Sequence, residues 1–289
     1  MRRMLPALLG LTLLYGYGED EPALYFREAQ QALASRNPAA VEQALDAGAA
    51  ALRRVGPDYI GYSSTLIGMA RMYDDMGEPA KAAALRQEGL SAARKAANRE
   101  ATAGILYDLA LIDLRAGRYR PAAASLEEAA TLTDSIRLLE VLLGAEATAQ
   151  EHLGNLTHAE SLLKQQAALP HSSYTTPPCA VTDEMIPPFL QFYPDALPHF
   201  YARHGRFEEG LRIYQELVQK AEQGSVAQQD LALARLQWFC LMNRHMSEAR
   251  DILRKRIAIL LASPEREHVA CGHQLRESLA LMDAQSPKN

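Results

Sequence analysis

The residues best equipped for chemistry are few and badly spaced for it. His268, Cys271 and His273 lie close enough to suggest metal ligands. On a continuous helix, positions i, i+3 and i+5 do not share one face, and a fourth ligand is missing, so the grouping reads as structural rather than as zinc. His199 and His204, five residues apart, fail on the same ground. Cys179, His171 and Asp183 would supply a nucleophile, a base and an orienting acid, but nothing in their spacing fixes a geometry. No Gly-rich phosphate loop and no Gly-x-Ser-x-Gly elbow occurs. The expectation is therefore a protein that is not an enzyme, with no catalytic set, no metal site and no cofactor.

Composition narrows the classes further. The net charge of −5 advertises no broad basic surface for nucleic acid or acidic lipid. A hydrophobic fraction of 48% with few aromatics suits one elongated helical domain. Three cysteines (Cys179, Cys240, Cys271) fit no spaced metal motif and no disulfide framework. One bridge with one free thiol stays open if the chain is exported; otherwise Cys240 and Cys271 read as small buried apolar residues. Arg2 and Arg3, followed by the apolar run Met4 to Tyr15, read as a secretory signal over residues 1–18, too short to span a bilayer. The competing reading makes residues 4–17 a first helix. Export implies a periplasmic or secreted protein with no membrane span after signal removal; an uncleaved N-terminus implies the cytoplasm.

The elements that position any site come from one pattern that runs twice over residues 58–130. Leu66, Met69, Ala70 and Tyr73 lie at i, i+3, i+4 and i+7, one stripe of a helix, followed by Gly77 and Ala82. Leu106, Leu109, Ala110 and Asp113 are followed by Gly117 and Ala122, and the two glycines are 40 residues apart. Each copy reads as helix, left-handed glycine turn, helix, with Pro79 and Pro121 near the start of the second helix. One such hairpin cannot bury its apolar stripe alone, so copies must stack. Residues 20–55 form an earlier pair with Asn37-Pro38 as its turn. A later pair spans about 134 to 169, with Asp134 as the cap of its first helix. Residues 170–198 carry seven of the fifteen prolines, which excludes an uninterrupted helix. Their aromatic and aliphatic content predicts a segment packed back on the helices. The pattern resumes at Phe200 with Gly205 and Gly210, then a pair at about 228–243 and 246–262, whose apolar first helix should be deeply buried. Residues 264–284 cap the array, and 285–289 fray. The total is about eleven helices and no strand.

Leu66-x2-Met69-Ala70-x2-Tyr73-x3-Gly77-x4-Ala82 is similar to a tetratricopeptide repeat, and Gly117-Arg-Tyr-Arg-Pro-Ala122-x6-Ala129 matches its second half. The period near 40 resembles the longer kinesin-light-chain type of repeat. Asp113 stands where that family has an aromatic, Gly89 where it has alanine, and no copy has the family tryptophan. The resemblance implies an all-α, right-handed solenoid of stacked helix-turn-helix repeats with a C-terminal capping helix, forming a single domain over residues 19–284.

In stacked pairs the first helices line a concave groove, and the family implies the same assignment. The groove positions are Ile67, Arg71 and Asp74, then Tyr107, Leu111 and Arg115, then Thr148 and His152, then His199 and Arg203. Arginines beside aromatic and aliphatic side chains suit the carboxylates and side chains of a peptide. The expected function is a non-enzymatic scaffold for a protein or peptide partner. The alternative is a sensor module that binds a signalling peptide or small ligand.

Overall fold

Thirteen α-helices follow one another among the described residues, with no strand. In this computed structural model the described residues are 21–35, 37–57, 61–170 and 196–284. The helices are α1 (Glu21–Ala34), α2 (Pro38–Val55), α3 (Tyr62–Asp75), α4 (Pro79–Lys95), α5 (Arg99–Arg115), α6 (Tyr119–Leu132), α7 (Ile136–His152), α8 (Leu156–Ala168), α9 (Ala196–Arg203), α10 (Phe207–Ala221), α11 (Val226–Met242), α12 (Met246–Leu261) and α13 (Arg266–Ala284). The count exceeds the expected eleven or so, and α9 is shortened to eight residues. The export signal (1–18), most of the proline-rich stretch (to residue 195) and the tail (285–289) lie outside the described residues. Among the described residues no helix is long and apolar enough to cross a membrane.

Consecutive helices pack as hairpins: α1 with α2, α3 with α4, α5 with α6, α7 with α8, α9 with α10 and α11 with α12, while α13 packs on α12. The hairpins gather in two compact units, Met1–Ser135 and Ile136–Asn289.

One turn geometry recurs. After α3, Glu78 N–H donates to Tyr73 O at 2.8 Å and Gly77 N–H donates to Asp74 O at 3.0 Å, which closes the helix around a residue of positive φ. Arg118 and Gly117 repeat this after α5, and Asn155 and Gly154 after α7. Glycine takes that conformation without a Cβ penalty. Two turns of the same form hold a non-glycine residue there, Ala97 (φ 51°) after α4 and Arg244 (φ 64°) after α11.

Helix starts follow local chemistry. Asn37 and Asn98 side chains accept from Ala40 N–H and Ala101 N–H, and Ser225 forms a reciprocal capping box with Gln228. The expected Asp134 cap of α7 is not how that helix begins. Ser135 N–H donates to Thr133 Oγ1, while Thr133 and the Asp134 N–H both donate to Glu100, 33 and 34 residues earlier.

In the first unit the stripe read from the sequence is the core: Leu45, Leu52, Leu66 and Met69 are fully buried, and Tyr73 nearly so. Each such aliphatic side chain contributes roughly 1.5–3 kcal/mol relative to exposure. Ala70, Ala82, Ala110 and Ala122 are each 0% exposed, as close helix approach requires. The second unit has one core around Leu143, Leu163, Phe200 and Tyr201, and another around Tyr214, Leu236, Phe239 and Ile252. Gly210 sits where a Cβ would lie 2.7 Å from Pro198 O and 2.7 Å from Phe239 Cζ, so no larger residue fits.

Two arginines are buried inside this apolar frame. Arg86 of α4 bonds Asp108 and Asp74, and Arg256 of α12 bonds Asp230 and Gln237 of α11. Cys240 is buried and free, with burial pushing its thiol up to about 11. Cys271 is disulfide-bonded, so the reading of both cysteines as plain apolar residues holds for Cys240 alone.

Candidate functional site

In the first unit the open faces of α3 and α5 carry the proposed groove residues. Arg71 projects from α3 with its side chain 42% exposed, and its Nε and Nη2 donate to one oxygen of Asp108 at 2.9 and 2.8 Å. The other Asp108 oxygen accepts from Arg86 Nε at 3.0 Å, and Arg86 also bonds Asp74. Burial works against the Arg86 charge, but the bonds to Asp74 and Asp108 outweigh it and leave its pKa raised. Two carboxylates and two guanidiniums thus form one chain, Asp74–Arg86–Asp108–Arg71, whose outer end is a held but accessible arginine. A guanidinium fixed through one edge keeps its remaining N–H groups for a planar acceptor.

Next to Arg71 on α5 stand Tyr107 and Leu111, both half-buried, and Arg115, exposed. Gly104, one turn before Tyr107, faces open space: a Cβ built there meets nothing within 4 Å. Asp75 on α3 has its pKa raised, first by burial and then by Asp74, with Arg115 opposing. Arg115 therefore acts across the gap between the two helices.

Two predicted positions differ from the rest of this row. Ile67 is 6% exposed and points to the hairpin interior, with its Cδ1 3.7 Å from where a Gly89 Cβ would stand. It packs rather than lines. Asp74 is exposed, yet it is held by Arg86.

In the second unit Arg203 of α9 donates from Nε and Nη2 to Glu151 of α7 at 3.0 and 2.8 Å, and His204 Nε2 meets the same carboxylate at 3.0 Å. Burial tends to raise the Glu151 pKa, but Arg203 and His204 hold it below the usual range. This cluster staples α7 to α9. Thr148 donates to Gly144 O of its own helix at 3.0 Å, and His152 is exposed at the end of α7. His199 packs edge-on to Phe239 of α11 at 5.4 Å and to Tyr214 of α10 at 6.4 Å. Of the ten predicted positions, Ile67 turns into its hairpin and His199 packs on the buried Tyr214 and Phe239 rings.

The sequence reading missed two features. Ser263 Oγ lies 2.9 Å from His268 Nδ1, and His268 Nε2 lies 3.5 Å from Glu265 Oε2. Both Ser263 and His268 are buried, and Ser263 Oγ also accepts the Glu265 N–H, so the trio organises the entry to α13. Ser-Pro-Glu ahead of the helix was its signal. The second is an apolar stripe on α11, the helix expected to be deeply buried, where Leu231 and Trp238 are half-buried and Met242 is exposed. The bridging of Cys271 removes the thiolate that a zinc reading of His268, Cys271 and His273 needs. His171, Cys179 and Asp183 lie outside the described residues.

No family model matches the chain, and no curated protein matches it.

Proposed function

We propose that the chain is a non-enzymatic scaffold that binds a protein or peptide partner along the open faces of its first helices. In this reading the hairpins are tetratricopeptide-like repeats, stacked as a right-handed solenoid and closed by α13. The observation that carries the reading is the row Arg71, Tyr107 and Leu111: a guanidinium held by Asp108 beside two half-exposed side chains on the neighbouring helix. A ligand carboxylate on Arg71 and an apolar side chain on Leu111 would meet groups already fixed in place, which lowers the ordering cost of binding. The Cys271 disulfide supports an oxidising compartment, and with it the export reading.

The test compares intact protein with its Leu111→Glu variant as bait in chemical cross-linking on cells of the native host. Leu111 is half-exposed, so the variant keeps its core. The reading expects a protein cross-linked to the wild type and lost from the variant. Identical products from both would reject it.

A further inference from the structure

We propose that Met242 and Met246 form a reversible oxidation site, where a peroxide converts thioether to sulfoxide and turns the end of the α11 stripe polar. The proposal goes beyond the scaffold reading and does not depend on it.

The described methionine side chains are sorted by access. Met69 is 0% exposed and Met72 2% exposed, inside the core of the first unit. Met76 is half-buried. Met242 is 60% exposed and Met246 43% exposed. A peroxide must touch the sulfur, so a sealed methionine reacts only when the structure opens around it. Met242 is the last residue of α11 and Met246 the first of α12. The turn between them is closed by His245 N–H donating to Cys240 O at 2.9 Å and Arg244 N–H donating to Leu241 O at 3.0 Å. Two accessible thioethers therefore flank one fixed turn.

Thiolates normally react ahead of thioethers, but among the described residues none is available. Cys240 is 0% exposed and burial keeps it as the thiol, while Cys271 is already bridged. The peroxide alone completes the reaction. Its O–O bond breaks, one oxygen joins the methionine sulfur, which gives up two electrons, and the other oxygen leaves as water. The product is polar and chiral where the thioether was apolar, and methionine sulfoxide reductases reverse it. Trp238 stands four residues before Met242 on α11, a spacing that puts two Cβ atoms about 5–6 Å apart on one helix face. A sulfoxide at Met242 thus brings a strong dipole beside the one tryptophan of the chain.

Intact protein is treated with hydrogen peroxide, sampled over time and mapped by peptide mass spectrometry, with tryptophan emission read alongside. Met242 and Met246 are expected to gain one oxygen each at least about tenfold faster than Met69 and Met72. Trp238 emission is expected to shift to the red in step with Met242. Met242→Leu, at an exposed position, is expected to keep the oxidation of Met246 and lose the red shift. Methionine sulfoxide reductases of both stereospecificities are expected to remove the added oxygens and restore the emission of unoxidised protein carried through the same reductant. Oxidation of Met69 or Met72 as fast as the pair, emission unchanged once Met242 is oxidised, the same red shift in Met242→Leu, or sulfoxides that the reductases leave in place would overturn the proposal.

Discussion

Arg256→Met is expected to destabilise the second unit by about 3–5 kcal/mol, far beyond the loss of one surface charge. The Arg256 side chain is 3% exposed and its partner Asp230 is 6% exposed. Nε donates to Asp230 Oδ1 at 2.8 Å, Nη2 to Oδ2 at 3.2 Å and Nη1 to Gln237 Oε1 at 2.9 Å. Bonds to a charged acceptor contribute roughly 1.5–3 kcal/mol each, yet both ions have lost their hydration, so the pair as a whole stands near balance. Truncating Arg256 keeps the desolvation of Asp230 and removes its return. Arg256→Met combined with Asp230→Leu removes both ions, and is expected to lie within about 2 kcal/mol of wild type, less than either single variant costs. Arg254, 54% exposed and paired with exposed Asp251, is the control: Arg254→Met is expected to cost under about 1 kcal/mol. Urea unfolding followed by Trp238 emission is the assay, because Trp238 adjoins Gln237 in α11 and reports this unit alone. A single-variant cost below about 1 kcal/mol, or an additive double variant, would refute the reasoning.

Ala97 is exposed and holds φ 51°, so Ala97→Gly should raise stability by about 0.5–1 kcal/mol in a thermal melt; a lower melting temperature would contradict the strain argument. Bonds from Arg206 and Lys164 hold the Glu160 carboxyl at about 2, below its ordinary 4.5. A depressed folded-state pKa contributes stability that is present above the ordinary value and disappears as pH falls from 4.5 toward 2, so Glu160→Gln should flatten the stability–pH curve in that window. Cys240 is 0% exposed and its thiol is pushed up to about 11, so alkylation of the native protein at neutral pH should leave it unmodified. Cys271 should stay unmodified even in denaturant until a reductant is added, and reduction should cost the native state about 2–5 kcal/mol; labelling of Cys271 without reductant would count against the bridge.

The hairpins were legible because their signals are local. The stripe Leu66, Met69, Ala70 and Tyr73 and the glycines at 77 and 117 report short-range geometry, and the structure repeats them as core and turn. Turns at Ala97 and Arg244 were harder, since the residue type there argues against the backbone it adopts. The Thr133–Glu100 bond escaped because its partners are 33 residues apart. Arg71, Tyr107 and Leu111 could be placed on an open face from helical phase alone, but the bonds that hold Arg71 depend on Arg86 in another helix. Ile67 went astray because Gly89 leaves room for it inside the hairpin. The α11 stripe was hidden by its own composition: a helix apolar on every side gives no phase by which to find an exposed edge.

Two surface pairs of the first unit share one arithmetic. Arg53 of α2 bonds Glu88 of α4, and Arg94 of α4 bonds Glu128 of α6, so alternate helices are joined by the same arginine-to-glutamate link about one repeat further on. Such a link cannot tell one neighbour from the next. Excising residues 78–117 would leave Arg53 facing Glu128 with the turn glycine in phase, and a mis-docked chain could make the same bond. Among the described residues the Asp74–Arg86–Asp108–Arg71 chain has no second copy one repeat on: α6 carries Leu126 where α4 carries Arg86. The repeated link gives the array freedom to change length over evolution, and the singular one tells each hairpin its place in the queue.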